Sequence, residues 1–265
     1  MPRRSARAAP TTPLVPGPTP RRPPRRNPPS PPHSVRSRVL EDRRSLEVLE
    51  AHLGGRTGIT ESRVEVGGKT YAITHPVAAD ALLDEEEFAR DERLPYWAEL
   101  WPSATALARR LAREHLAGQM AMELGCGVGL PTVAALERDA QALATDHYEA
   151  ALDFAAYNAR VNLGRDLETR LLDWRTPGLG DLEGASDLVY AADVLYERGN
   201  VPLLAGLIPR LLKPDARVLI ADPRRNPAPD FLAEMKKRGF LVLTEEAVVE
   251  AESRSVTVLV HELRR

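Results

Sequence analysis

The stretch Met120-Ala121-Met122-Glu123-Leu124-Gly125-Cys126-Gly127-Val128-Gly129-Leu130-Pro131 decides the fold. Its apolar start reads as a buried strand, and the apolar-periodic residues 130–136 read as a helix. Three alternate glycines join them. Glycine tolerates positive φ and lets a backbone approach a ligand closely, which is why glycines gather at ligand-binding strand-to-helix turns. The spacing here is G-x-G-x-G with an acid two residues before the first glycine, whereas the dinucleotide fingerprint is G-x-G-x-x-G. Taken by itself, the turn allows a phosphate cradle, a dinucleotide site or plain packing of a helix on a strand.

The chain on either side narrows the choice. After the turn, strands are expected near 142–145, 168–172, 187–192 and 217–221, with helices near 149–161, 201–212 and 230–237. Such alternation predicts a doubly wound parallel sheet. Two last strands, 241–244 and 255–260, have too short a connection for a helical crossover and should be antiparallel neighbours. Upstream, Leu40, Leu46, Val48, Leu49 and Leu53 recur at helical spacing. The hairpin 63–73 turns at Gly67-Gly68. Ser103 is expected to cap a helix running to about His115. The acid-rich residues 79–94 are expected to form a short solvated helix or loop.

Composition bounds the function. Residues 1–40 hold nine arginines and no acid, which leaves 27 basic and 38 acidic side chains over the remainder, a net of −11. An acidic folded part suits a cationic partner and argues against nucleic acid. No run of 18 apolar residues occurs, so no membrane span is expected. Cys126 is the sole cysteine, which excludes a disulfide framework or a cysteine metal cluster and makes a cytoplasmic setting the expectation. Residues 1–36 contain 12 of the 23 prolines. The expected division is therefore a disordered tail (1–38) and one folded domain (39–265). The latter comprises an N-terminal helix, hairpin and aromatic segment (39–103) and a ligand-binding core (104–265). The tail reads as a partner-binding arm, a transit peptide or an idle extension.

Ligands of open α/β sheets sit at the carboxyl ends of the strands. Those ends carry Glu123 and the glycines, then Asp146, then Asp173-Trp174, then Ala192-Asp193-Val194-Leu195-Tyr196. A carboxylate at Asp146 can accept from both hydroxyls of a ribose, and Asp173-Trp174 offers an acceptor and a flat ring for a base. No Lys or Arg occurs from Met120 to Leu136, so the turn suits an amino-bearing or cationic ligand better than a pyrophosphate. Plainer readings stand beside these. Asp146 and Asp193 could cap helices, Trp101 and Trp174 could be core, and Tyr196 could be a satisfied helical tyrosine. Asp222-Pro223-Arg224-Arg225-Asn226-Pro227 could shape an entrance or be an ordinary loop.

Glu-x-Gly-x-Gly-x-Gly at 123–129 followed by Asp146 resembles the first two motifs of class I, seven-strand S-adenosylmethionine-dependent methyltransferases. Pro95-Tyr96-Trp97-Ala98-Glu99-Leu100-Trp101-Pro102, Leu172-Asp173-Trp174 and Ala192-Asp193-Val194-Leu195-Tyr196-Glu197 resemble methyltransferase family 16, which contains many protein-lysine methyltransferases. The resemblance implies a mostly parallel seven-strand sheet with an antiparallel last strand, S-adenosyl-L-methionine as cofactor and no metal. It implies that Trp101 and Trp174 line the adenosine pocket, with Asp173 beside them. Gly125 and Gly127 would bed the methionine end, Glu123 would lie near its amino group and Asp146 would hold the ribose. Ala192 would give a backbone contact, and Asp193 and Tyr196 would face the transferred methyl and the acceptor. The implied acceptor is a lysine of a protein substrate, with a small-molecule N- or O-acceptor as the alternative. A monomer is expected. Nucleic-acid bases are disfavoured by the acidic domain and by the lack of a Pro-Pro-aromatic tetrapeptide after the fourth strand.

Overall fold

The computed structural model describes residues 45–83, 94–251 and 254–265. The proline-rich tail, the residues before 45 expected to begin the first helix, and the acidic stretch 84–93 lie outside the described residues. Helix α1 covers 45–53 and buries Leu49 and Leu53, one turn apart. The hairpin of β1 (Ile59–Val66) and β2 (Lys69–Pro76) turns through Gly67 and Gly68, both at positive φ, as a two-residue hairpin turn requires. It forms a separate two-stranded sheet.

The larger sheet has seven strands in the order β5-β4-β3-β6-β7-β9-β8. The strands are β3 (Met120–Leu124), β4 (Gln141–Asp146), β5 (Glu168–Leu171), β6 (Ser186–Ala192), β7 (Leu212–Asp222), β8 (Leu241–Ala251) and β9 (Arg254–Arg264). The first five pair in parallel, and β9 runs antiparallel to both β7 and β8. The order turns back beside β3, between β4 and β6, which is where such sheets open a crevice.

Both faces of the central strands are apolar, as parallel strands under helices must be. On β6, Leu188 and Tyr190 join one core, while Val189 and Ala191 join the other. The first core takes α2 (Pro102–Leu111), α3 (Leu130–Glu137), α4 (Glu149–Leu163) and the hairpin. The second takes α5 (Asn200–Leu211) and α6 (Ala228–Lys237).

The hairpin is fastened to α4 by two asparagines. Asn158 Oδ1 accepts from the Thr74 N–H at 2.8 Å, and its Nδ2 donates to the Thr74 carbonyl at 2.9 Å. Asn162 does the same for Ala72. Side-chain amides thus take the place of a neighbouring strand along β2. Asn158 Nδ2 also donates to the Val128 carbonyl at 2.9 Å, which ties the hairpin to the glycine turn.

Several expectations are corrected. Ser103 does not cap α2: Trp101 stands at the N-cap with Pro102 following, Ser103 is fully buried, and the helix stops at Leu111. Helix α5 stops at Leu211, and Lys213 and Pro214 after it lie at the start of β7. The closing strands are eleven residues each, longer than expected, because β8 is an exposed edge carrying Glu245, Glu246 and Glu250.

Candidate active site

The crevice at the strand ends brings together all ten residues singled out from the sequence. Trp101, Glu123, Gly125, Gly127, Asp146, Asp173, Trp174, Ala192, Asp193 and Tyr196 line one cavity, with Tyr96, Trp97, Glu99 and Glu197 at its side. Its cover is the segment 94–101 with its short 3₁₀ turn Tyr96–Ala98. Neither α1 nor the hairpin contributes to the lining.

Gly125, Gly127 and Gly129 all have positive φ, at 68°, 50° and 84°. Their missing Cβ atoms make room chiefly for protein. A Cβ on Gly125 would stand 3.3 Å from the Trp174 ring and from Val194, and one on Gly127 3.1 Å from the Trp97 carbonyl. On Gly129 it would fall 2.6 Å from the Ala155 Cβ on α4, closer than atoms can pack. The turn is therefore left-handed and tightly enclosed, with Trp174 laid against its first glycine.

Asp146 welds this turn to the next strand. Its Oδ2 accepts the Gly127 N–H and its Oδ1 the Tyr148 N–H, each at 3.0 Å. It is buried, and burial pushes its carboxyl up against the opposing pull of those backbone donors. Each oxygen keeps a lone pair for a further donor. Glu123 sits deeper, 1 % exposed. Its carboxylate accepts the Thr132 hydroxyl, which in turn bonds the Tyr190 hydroxyl at 3.1 Å. Burial raises Glu123 well above the usual carboxylate range, opposed by the Thr132 bonds and reinforced by the Asp146 charge. Glu123 is thus already engaged as a strut under α3, a role its place in the motif did not reveal.

Asp193 follows β6 at φ 55°. It is not a helix cap, since α5 starts at Asn200 and residues 193–199 are irregular. Tyr196 is accordingly not one helical turn on. It lies in that loop, 37 % exposed, edge-on to Tyr96 with ring centroids 5.0 Å apart. Burial of its phenol end pushes that group up to about 12, so it stays a neutral donor. Tyr96 also packs edge-on to Trp101 at 5.9 Å and holds the Trp101 indole N–H on its carbonyl at 2.9 Å. Asp193 Oδ1 accepts Arg225 Nε at 2.8 Å, and Oδ2 lies 3.4 Å from the Ser103 hydroxyl. Sequence reasoning left out Arg225, Ser103, Tyr96, Thr132 and Asn158 as site residues. Two had a signal: Tyr96 lies in the aromatic segment 95–102, and Arg225 stands at the carboxyl end of β7 next to that of β6.

Six carboxyl-bearing side chains but only Arg175 among arginines and lysines line the cavity among the described residues. That acceptor-rich lining, with three tryptophans and a buried carboxylate at a left-handed glycine turn, fits an adenosine carrying a cationic, amino-bearing arm. It does not fit a pyrophosphate.

Residues 89–238, more than half of the chain, match the family model described as lysine methyltransferase. The chain belongs to the lysine methyltransferase family. It is a methyltransferase that uses S-adenosylmethionine. It is similar to the protein N-lysine methyltransferase METTL21A of Danio rerio, 29 % identical over 154 residues, which are 56 % of this chain and 70 % of the relative. It is also similar to phosphoethanolamine N-methyltransferase 3 of Arabidopsis thaliana, 29 % identical over 127 residues, but only across 25 % of that enzyme. A solved transferase of Pyrococcus horikoshii shares the fold at 17 % identity and a TM-score of 0.50, covering 85 % of this methyltransferase and 84 % of that chain. No helix among the described residues is long and apolar enough to cross a membrane.

Proposed function

We propose that this methyltransferase modifies the amino group of a lysine in a protein substrate, acting as a monomer in the cytoplasm through one methyltransferase domain spanning 39–265. The observation that carries the reading is the lining of the cavity. Asp193 shares it with Tyr96, Trp101 and Tyr196, a carboxylate in a cavity walled by aromatic rings. Such a setting receives an alkylammonium: the rings flank its methylenes and attract its charge, and the carboxylate takes its N–H. The acidic balance of the folded part and the similarity to an N-lysine methyltransferase support the same acceptor.

In this reading Asp146 accepts the ribose hydroxyls, Asp173, Trp101 and Trp174 flank the adenine, and Gly125, Gly127 and Ala192 border the methionine end with Glu123 beneath. The bound cofactor supplies a methyl group on a positively charged sulfur. Lysine attacks only when neutral, and its ordinary pKa is about 10.4. A positive neighbour in a partly dry cavity lowers that value. Asp193 orients the amine lone pair and accepts an ammonium proton on its way to water, while the Tyr196 phenol bounds the channel. Holding the amine in line with the methyl group is the main source of rate.

The test is incubation of the enzyme and labelled S-adenosylmethionine with lysate, followed by gel and mass spectrometry. Methyl-lysine in a discrete polypeptide is the expected result. Label confined to small metabolites would reject the protein substrate and favour a small amine, the acceptor class in the Arabidopsis relative's name. Asp193→Ala should bind S-adenosylhomocysteine normally and lose transfer by roughly 10²-fold or more.

A further inference from the structure

We infer that Arg225 is a positioning residue for methyl transfer, fixing the Asp193 carboxylate at the acceptor from the neighbouring strand end. The inference rests on the place given to Asp193 above. Strands β6 and β7 lie side by side, and the Asp193 N–H donates to the Ala221 carbonyl at 2.9 Å. Both strands then leave the sheet through a left-handed residue that is not glycine, Asp193 at φ 55° and Arg224 at φ 66°. Such conformations persist where their surroundings over-determine them. Arg225 joins the two turns. Its backbone N–H donates to Asp222 Oδ1 at 2.7 Å, its Nε–H donates to Asp193 Oδ1 at 2.8 Å, and its guanidinium lies 5.7 Å from the centre of the Trp101 ring. From the opposite side, Ser103 on α2 meets the other Asp193 oxygen. The Asp193 side chain is 5 % exposed, against 37 % for Arg225.

The charges make Arg225 more than a spacer. Asp222 is fully buried, and its second oxygen has no hydrogen-bond partner. Burial pushes its carboxyl up to about 6, the Asp193 charge adds to the rise, and the Arg225 charge and amide oppose it. Arg224 turns outward to Glu246 at 2.9 Å. Two neighbouring carboxylates therefore depend on one guanidinium. Without it Asp222 holds its charge only at higher pH, and Asp193 loses the contact that aims it. A lysine at 225 keeps the charge but cannot place an Nε–H at the same point on its stem.

The full chain is assayed with tritiated S-adenosylmethionine and poly-L-lysine as probe acceptor, beside S-adenosylhomocysteine calorimetry. Arg225→Gln should lower kcat about tenfold to a hundredfold with cofactor affinity unchanged. The acid limb of its kcat profile should move up by about one pH unit, since removing a cation disfavours ionisation of Asp222 beside Asp193. Arg225→Lys should keep the acid limb and recover part of kcat. The Arg225 Nε–H resonance in the S-adenosylhomocysteine complex should shift on Asp193→Asn, a readout that needs no acceptor. The inference fails if that resonance does not move. It also fails if Arg225→Gln matches wild type while Asp193→Asn abolishes transfer, or if kcat and cofactor affinity fall together with the acid limb unmoved. An Asp193→Asn enzyme as active as wild type would instead overturn the role of Asp193 itself.

Discussion

Gly129→Ala separates the two reasons for glycine in the turn, a left-handed backbone and a missing Cβ. The backbone cost of a left-handed residue with a side chain is about 1–2 kcal/mol. The new methyl would also stand 2.6 Å from the Ala155 Cβ and 2.8 Å from its Cα, on a helix backbone that cannot swing aside like a flexible side chain. Overpacking of this kind costs about 1–3 kcal/mol more. Gly68→Ala is the matched control: it has φ of 82°, and a Cβ there meets nothing within 4 Å. Both variants lose the same unfolded-state freedom, so their difference isolates the clash. For a domain of this size about 1 kcal/mol moves the melting temperature by about 2–4 °C, so Gly129→Ala should melt roughly 2–12 °C below Gly68→Ala. Thermal unfolding by circular dichroism reads this directly. Melting of the two variants within a degree of each other would refute the claim that α4 closes on the turn.

Other outcomes follow from the same contacts. Asp146→Ala should reduce S-adenosylhomocysteine affinity at least tenfold and lower stability, because two backbone donors lose their acceptor; calorimetry and thermal unfolding report both. Asp222 carries a folded-state pKa of about 6, above its unfolded value, so the folded chain binds more protons between about pH 4 and 6. Its contribution to stability is present at the low end of that window and is lost as pH rises through 6. Asp222→Asn should therefore flatten the stability profile over the window by about 2 kcal/mol relative to wild type; superimposable profiles would contradict this. Asn158→Leu removes three buried hydrogen bonds and should cost about 3 kcal/mol or more in urea unfolding. It should also speed exchange of the Thr74 amide, and unchanged protection there would refute the clamp.

Much of this was legible in the sequence because it is local. Met120–Leu124 is apolar and bounded by glycine, so β3 could be read to the residue, and the helix after it began where expected. Parallel strands send their carboxyl ends to one crevice, and the residues expected at those ends line one cavity together with Trp101. What escaped was set by contacts between distant segments. Ser103 has the composition of a cap, but Pro102 at the first helical position shifts the cap to Trp101 and frees the hydroxyl for Asp193, 90 residues away. Asn158 on α4 gives no local hint that it stands in for a strand beside Thr74. Charge cannot be read from type either, since burial rather than spacing raises Glu123 and Asp222.

The position of β9 between β7 and β8 has a consequence for how the molecule is made. Strand β7 takes part of its pairing from Arg254–Arg264, and β8 takes all of its own from there. While the ribosome is still delivering that segment, β8 has no partner and β7 presents a bare edge to its surroundings. The crevice is bounded by residues at the end of β6, and Arg225 reaches Asp193 there from the end of β7. The sheet that holds those two ends in place is therefore closed by a strand that leaves the ribosome after both of them.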